Sequence, residues 1–317
     1  MAASARFRLV MALASATAAI TAGAICLAAE LPEWAYPVKS PNAGWDAVVL
    51  KGLLGSTRKF TQAQIEDNFD PPDWFPEDHP ATPEVVAHGR RPEVSACAKC
   101  HISNGAGHPE SCDVAGLTVA YIREQFEEFK NGNRRGARAA SMIPVAKAIT
   151  DEEIGVAAEY YAALKPVADW TDVVEVQTVP KTRVSPTYMR FAIENAGEEP
   201  LGDRIIELPK APERAELRDS RFGFIAHVPR GSIARGKALV TGGEKTAPCG
   251  SCHGSDLSGS GDIPRLIGRS PSYLFRQLND IKIGAHTGPH VDPMRPVAVL
   301  DDSEMIAIAA YLAAQRP

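Results

Sequence analysis

A five-residue string that ties a large rigid group to the backbone occurs twice in this chain, as Cys97-Ala98-Lys99-Cys100-His101 and as Cys249-Gly250-Ser251-Cys252-His253. C-x-x-C-H is the attachment site of c-type haem: the two thiols add across the haem vinyl groups, and the adjoining histidine reaches the iron. Any fold must therefore close around that group at both places. Read singly, each C-x-x-C also suits a zinc site or a thiol redox pair. The register between the copies favours haem. An offset of 152 carries Cys97, Cys100 and His101 onto Cys249, Cys252 and His253, and the same offset carries Met142 onto Met294. Each methionine lies 41 residues beyond its histidine, so the chain is expected to hold two haem c groups.

Without gaps, residues 97–164 and 249–316 share 20 identities in 68 positions, among them Tyr121/Tyr273, Gln125/Gln277, Gly132/Gly284 and Pro144/Pro296. This is an internal duplication whose period is too long for a solenoid, so each copy reads as a whole small domain. Apolar residues at helical spacing predict helices over Tyr121–Lys130 and Tyr273–Lys282, with Gly132 and Gly284 as stops. A last helix follows each methionine, opening at a capping box at Thr150–Glu153 in the first copy and at Asp301–Glu304 in the second. Short helices are expected at Pro83–His88 and over 232–240, ahead of the motifs.

Arg6 and Arg8 followed by the apolar run Leu9–Ala29 have the form of a secretory signal, with cleavage near Ala28 or Ala29. The same run of 21 residues is also long enough for an uncleaved membrane anchor. Export suits haem c, which bacteria attach outside the cytoplasm. Removal of the signal takes Cys26 with it and leaves Cys112 as the one cysteine outside the motifs, so no disulfide framework is expected. A formal charge of −5 without a long basic run argues against nucleic acid as a partner and leaves redox proteins.

The organisation expected is a signal at 1–29, a Pro- and Trp-rich extension at 30–80, a first haem domain at 81–166, a linker at 167–228 and a second haem domain at 229–317. The extension holds Trp34, Trp45 and Trp74 and the stretch Asp70–Pro76. So much proline predicts an extended segment pinned to a haem domain by its aromatics, with a docking patch as the functional alternative. The linker offers a strand at Val173–Val179 and exceeds ordinary linker length, so it is expected to pack against the domains.

These residues resemble the dihaem class I cytochromes c of the cytochrome c4 type. The resemblance covers about 82–164 and 234–317, and rests on the two motifs, the Tyr-x-x-x-Gln helices, Met142 and Met294, and the final helix of each copy. It implies a mainly α fold: two tandem haem domains with an extended N-terminal segment and a long irregular linker. It also implies His/Met ligation of both irons, His101 with Met142 and His253 with Met294. Such iron is coordinatively full and passes electrons. In the family a proline commonly lends its carbonyl to the proximal histidine. Pro264 stands there in the second copy and Cys112 in the first, whose carbonyl can serve equally. The Cys112 thiol also resembles the cysteine ligand of dihaem thiosulfate dehydrogenases, although a position 11 residues after His101 is nearer the proximal side. His286 and His290 precede Met294 and are expected to flank the second haem.

The expected function is an exported electron carrier, not an enzyme, moving electrons between a periplasmic dehydrogenase or quinol-oxidising complex and an oxidase or other acceptor in a respiratory chain. The alternatives are a dihaem enzyme of the peroxidase or thiosulfate dehydrogenase type, which needs an openable iron site, and a cytochrome subunit held to a dehydrogenase.

Overall fold

The computed structural model describes residues 31–41, 48–242 and 245–317. The signal reading at 1–29 and Trp45 lie outside them. From Pro32 to Pro317 the chain forms one compact unit.

The extension opens on a turn at residues 32–36, then forms a hairpin of β1 (Leu50–Gly52) and β2 (Lys59–Thr61), followed by α1 (Gln62–Ile65). Among its described aromatics, Tyr36, Trp74 and Phe75 are buried, and Trp34 and Phe60 are half-buried. Trp74 meets Phe60 edge-on and its indole N–H donates to the carbonyl of Leu217, while Trp34 lies 4.5 Å from Phe275, centroid to centroid. The extension touches the linker and both copies, a wider reach than the single haem domain expected for it.

The first copy runs α2 (Glu84–Ala87), α3 (Ala98–His101), α4 (Val119–Lys130), α5 (Met142–Ala148) and α6 (Asp151–Ala163). Ile122, Phe126 and Phe129 recur at helical spacing along α4 and point into the core. The helix starts two residues earlier than its apolar pattern suggests, because the Thr118 hydroxyl caps the backbone N–H of Tyr121. It stops at Gly132, whose φ of 72° is the left-handed conformation a helix end needs.

The linker corrects an expectation, for it is not irregular. It forms β3 (Thr171–Val176), β4 (Thr178–Pro180), β5 (Thr182–Val184), β6 (Arg190–Ala192), β7 (Glu198–Pro200), β8 (Ile206–Pro209), α7 (Pro212–Ala215) and β9 (Phe224–Pro229). Strand β3 pairs parallel with β9, Thr171 opposite Phe224, and β9 pairs antiparallel with β8. The prolines that argued for irregular chain stand at the last residues of β4, β7, β8 and β9, where a missing N–H costs little. Pairing between β3 and β9, more than fifty residues apart, leaves no local signature. Helices still dominate both copies, but the chain as a whole is helical with a β insertion between them.

The second copy repeats the first as α8 (Ser232–Val240), α9 (Gly250–His253), α10 (Pro271–Lys282), a 3-10 turn at Asp292–Val299 and α11 (Asp302–Ala313). Helices α4 and α10 match at an offset of 152, yet the capping boxes of α6 and α11 stand at Thr150 and Asp301, one residue short of it. The second copy has one residue fewer after its methionine, and there the tighter 3-10 coil stands in place of α5. Helices α8 and α11 cross so closely that a Cβ on Gly236 would collide with the carbonyl oxygen of Ala307. Phe275, fully buried in this core, is worth roughly 2–3 kcal/mol of transfer free energy.

Candidate functional site

Each C-x-x-C-H string is a single helical turn, so the two cysteines, three residues apart, fall on one side and the histidine follows at the turn's end. Cys97 and Cys249 are half-buried against the cores of their copies, whereas Cys100 and Cys252 are exposed. Burial pushes the Cys97 thiol up to about 12. A thiol held protonated is a poor zinc ligand or exchange partner. Among the described residues, no three His, Cys, Asp or Glu side chains converge as a metal site.

The two histidines are held alike. Nδ1 of His101 lies 2.8 Å from the carbonyl oxygen of Cys112, and Nδ1 of His253 lies 2.8 Å from that of Pro264. With Nδ1–H donated to a carbonyl, the tautomer is fixed and Nε2 keeps a lone pair for a metal. The loop that returns to offer this carbonyl is anchored the same way in both copies, by Gly107 N–H to the His101 carbonyl and Gly259 N–H to the His253 carbonyl. The residue after each histidine has positive φ, Gly254 at 84° and Ile102 at 60°. For a β-branched residue that conformation costs about 1–3 kcal/mol. Ile102 is held in it by an apolar cluster with Trp170, Phe222 and Phe224 of the linker.

Cys112 also presents its Sγ 4.0 Å from Nδ1 of His101. Burial alone would lower the histidine and raise the thiol; their proximity reverses both shifts. At the second site Pro264 offers no such group, and burial holds His253 below its usual value. Met142 opens α5, half-buried against the same cluster as Cys97 and Ala98. Met294 is half-buried in the 3-10 turn and lies outside the cluster that Cys249 joins.

The copies meet about a pseudo-two-fold axis, and equivalent residues meet across it. Arg134 pairs with His286 in an antiparallel bridge, the Arg135 guanidinium reaches the Thr287 hydroxyl, and Asp113 pairs with Arg265; each pair is separated by 152 residues. Arg134 donates to Gln125 of its own copy (2.7 Å) and to Gln277, the equivalent residue of the other (2.9 Å). Asp113 takes Arg269 as a second buried partner at 2.8 Å. Asp280 presses on Gly136, and the equivalent Glu128 on Gly288. The extension straps this junction: Tyr36 O–H donates to Asp280 (2.9 Å), while Arg276 and Arg138 donate to the carbonyls of Ala35 and Pro37.

The residues present fit haem c. Paired thiols, an oriented histidine and an apolar wall recur in each copy. The junction also leaves buried polar atoms without partners among the described residues, including both ring nitrogens of His286, Nε of Arg265 and Oε2 of Glu128. Haem brings carboxylate propionates for which the nitrogens of His286 and Arg265 are suitable donors. The sequence reading did not find this junction, although its signal was present: opposite charges at equivalent positions 113 and 265 are what self-pairing across a two-fold axis requires. It also missed His79, whose Nδ1 lies 3.2 Å from the Tyr160 hydroxyl, which donates to the Ser103 carbonyl beside the first motif.

Comparison with known proteins agrees. The family model described as cytochrome c matches residues 233–315. The thiosulfate dehydrogenase electron acceptor of Thiomonas intermedia (strain K12) is 27% identical over 232 residues, 71% of this chain and 80% of that one. Cytochrome c4 of Pseudomonas aeruginosa is 37% identical over 93 residues, 29% of this chain and 42% of the relative. Cytochrome c-554(548) of Halomonas halodenitrificans is 31% identical over 72 residues, 22% of this chain but 87% of its own length. On these relationships and the twice-built histidine site, the chain belongs to the cytochrome c family, related to the dihaem cytochromes c4, and binds haem c covalently.

Proposed function

We propose that the protein is an exported dihaem electron carrier in which His101 and Met142 ligate one iron and His253 and Met294 the other, with Cys97, Cys100, Cys249 and Cys252 as the thioether attachment points. The observation that carries this is the matched pair of histidine sites, each with Nδ1 fixed 2.8 Å from a carbonyl eleven residues downstream. Bound haem supplies reversible one-electron storage. The chain's own residues set its surroundings: carbonyls orient the histidines, the cores exclude water, and the junction fixes the copies relative to one another. The haem domains are read as 81–166 and 229–317, and the signal at 1–29 as removed on export. Similarity to the thiosulfate dehydrogenase electron acceptor supports a sulfur-oxidising dehydrogenase as electron donor.

The enzyme alternative, with Cys112 as an iron ligand, loses support from geometry. The thiol stands beside Nδ1 of His101, the ring nitrogen that faces away from a metal held at Nε2. Low-temperature EPR of the oxidised protein, calibrated by total iron, tests the proposal. Two low-spin His/Met signals at one haem each are expected. A high-spin, bis-histidine or thiolate signal at either site would refute matched His/Met ligation.

A further inference from the structure

His286 is the most isolated buried polar side chain at the junction. It is 8% exposed, and neither ring nitrogen has a hydrogen-bond partner among the described residues. Buried polar groups almost always find partners, so a ring with two orphaned nitrogens marks the place of a ligand. Its equivalent in the first copy, Arg134, is fully partnered, by Gln125, Gln277 and the Tyr273 hydroxyl, drawn from both copies. The duplication has therefore placed a protein-paired guanidinium and an unpaired imidazole side by side at the same structural position.

The groups around His286 define what can approach it. Its own backbone N–H and that of Ala285 donate to the Asp280 carbonyl, and the Asp280 carboxylate is taken by Tyr36. Arg134 faces it across the axis, and its positive charge, added to burial, holds the imidazole down at about 3. The ring is thus a neutral donor beside a fixed cation, a setting that attracts a carboxylate. His286 stands in the loop that leads from α10 to Met294, so among the carboxylates that haem c would bring, those of the second haem share its copy.

We propose that His286 is a cofactor-binding residue, donating a ring N–H to a propionate of the second haem, with Arg134 of the first copy supplying the compensating charge. This rests on the assignment of His253 and Met294 to that haem. The residue then acts on the second haem alone, and the two sites differ electrostatically even though their histidines and methionines match.

The test is made on the full-length holoprotein with His286→Leu and His286→Gln. Total iron and the EPR signals of the oxidised protein report separately whether both haems are bound and whether His/Met ligation stands, so a failure of that reading is visible independently. With both intact, resonance Raman spectra of His286→Leu are expected to show a shifted propionate bending band for the second haem. Its reduction potential is expected to fall, because a propionate that has lost its hydrogen-bond donor keeps more of its negative charge and favours ferric iron. The first haem should be unchanged, and His286→Gln, which retains a donor, should recover most of the effect. An unmoved band and potential in His286→Leu, or a shift confined to the first haem, would overturn the proposal. If His286→Leu does not accumulate with two haems, proton NMR of the reduced, diamagnetic wild-type protein decides. Nuclear Overhauser contacts between the His286 ring and propionate methylenes of the second haem are expected, and their absence refutes the assignment.

Discussion

Asp113 and Arg265 occupy the same position in the two copies and bind each other across the junction. In a symmetric dimer of one copy this position would face its own image and like charges would collide. In the fused chain, opposite charges at the two equivalent positions form a buried ion pair that Arg269 extends at 2.8 Å. Divergence after duplication has thus made the pairing of copies specific: the first binds the second better than either would bind itself.

Removing that carboxylate leaves two guanidiniums buried, since the Arg265 and Arg269 side chains are 7% and 3% exposed. Asp113→Asn is expected to destabilise the holoprotein by about 3 kcal/mol in urea unfolding, the usual cost of breaking a buried pair from one side. The pair also carries a pH dependence. Burial raises Asp113, but Arg269 and Arg265 outweigh it and hold the carboxyl below its ordinary value. A depressed folded value means that the stabilisation is complete above about 4, the unfolded aspartate value, and is lost as pH falls through the folded one. Wild type should therefore lose its stability advantage over Asp113→Asn below about pH 4.

Glu66 performs a similar service for the first haem motif. Its Oε2 accepts from Lys99 inside the C-x-x-C-H string at 3.0 Å and from Arg218 of the linker at 2.9 Å, and Arg218 also donates to the Lys99 carbonyl. Extension, motif and linker meet at one carboxylate. Glu66→Ala leaves two nearly buried cations unpaired and is expected to cost about 3 kcal/mol. Differential scanning calorimetry should show that loss in Glu66→Ala, with the second haem's absorption and potential unaltered.

The haem sites were legible in the sequence because their chemistry is local: two thiols and a histidine within one turn, repeated in register at Cys97 and Cys249. Helices α4 and α10 were legible because burial of one face writes a period into the residues, as at Ile122, Phe126 and Phe129. Of the linker sheet only β3 was legible, as the strand expected at Val173–Val179; its pairing was not, since its partner β9 lies far along the chain, and Pro180, Pro200 and Pro209 read as breakers until their strand-end positions are seen. The one-residue slip at Asp301 was hidden because ungapped matching kept finding alanines in the final helices. The strap of Tyr36 on Asp280 depends on where two distant segments meet, and nothing near either residue announces it.

His79 links the extension to the first copy and predicts a dependence on alkaline pH. Its buried ring bonds Asp73 at 3.3 Å and faces the Tyr160 hydroxyl at 3.2 Å. The Asp73 hydrogen bond outweighs burial and raises the imidazole above its ordinary value. A raised histidine stabilises fully below its unfolded value near 6.5, and that contribution disappears as pH rises through the folded value. The melting temperature of His79→Gln should lie below that of wild type by roughly 2–4 °C at pH 5.5 and approach it at pH 9, as a contribution of about 1 kcal/mol implies. An equal gap at both pH values would show that the ring's packing, not its charge, matters.

Cys112 separates the carrier from the enzyme. Its carbonyl holds His101 as Pro264 holds His253, and that bond belongs to the backbone, so replacing the side chain leaves it intact. Cys112→Ser is therefore expected to keep two haems, the same low-spin EPR signals and the same optical spectrum. Removing the thiol also removes a polarisable group 4.0 Å from Nδ1 of His101, so a small change confined to the first haem's potential is expected, with the second unmoved. Cys112→Pro converts the first site to the pattern of the second and should behave in the same way. Were the thiol an iron ligand, Cys112→Ser would instead abolish one low-spin signal or replace it with a high-spin one, and the chain would have to be regarded as an enzyme with an exchangeable iron site.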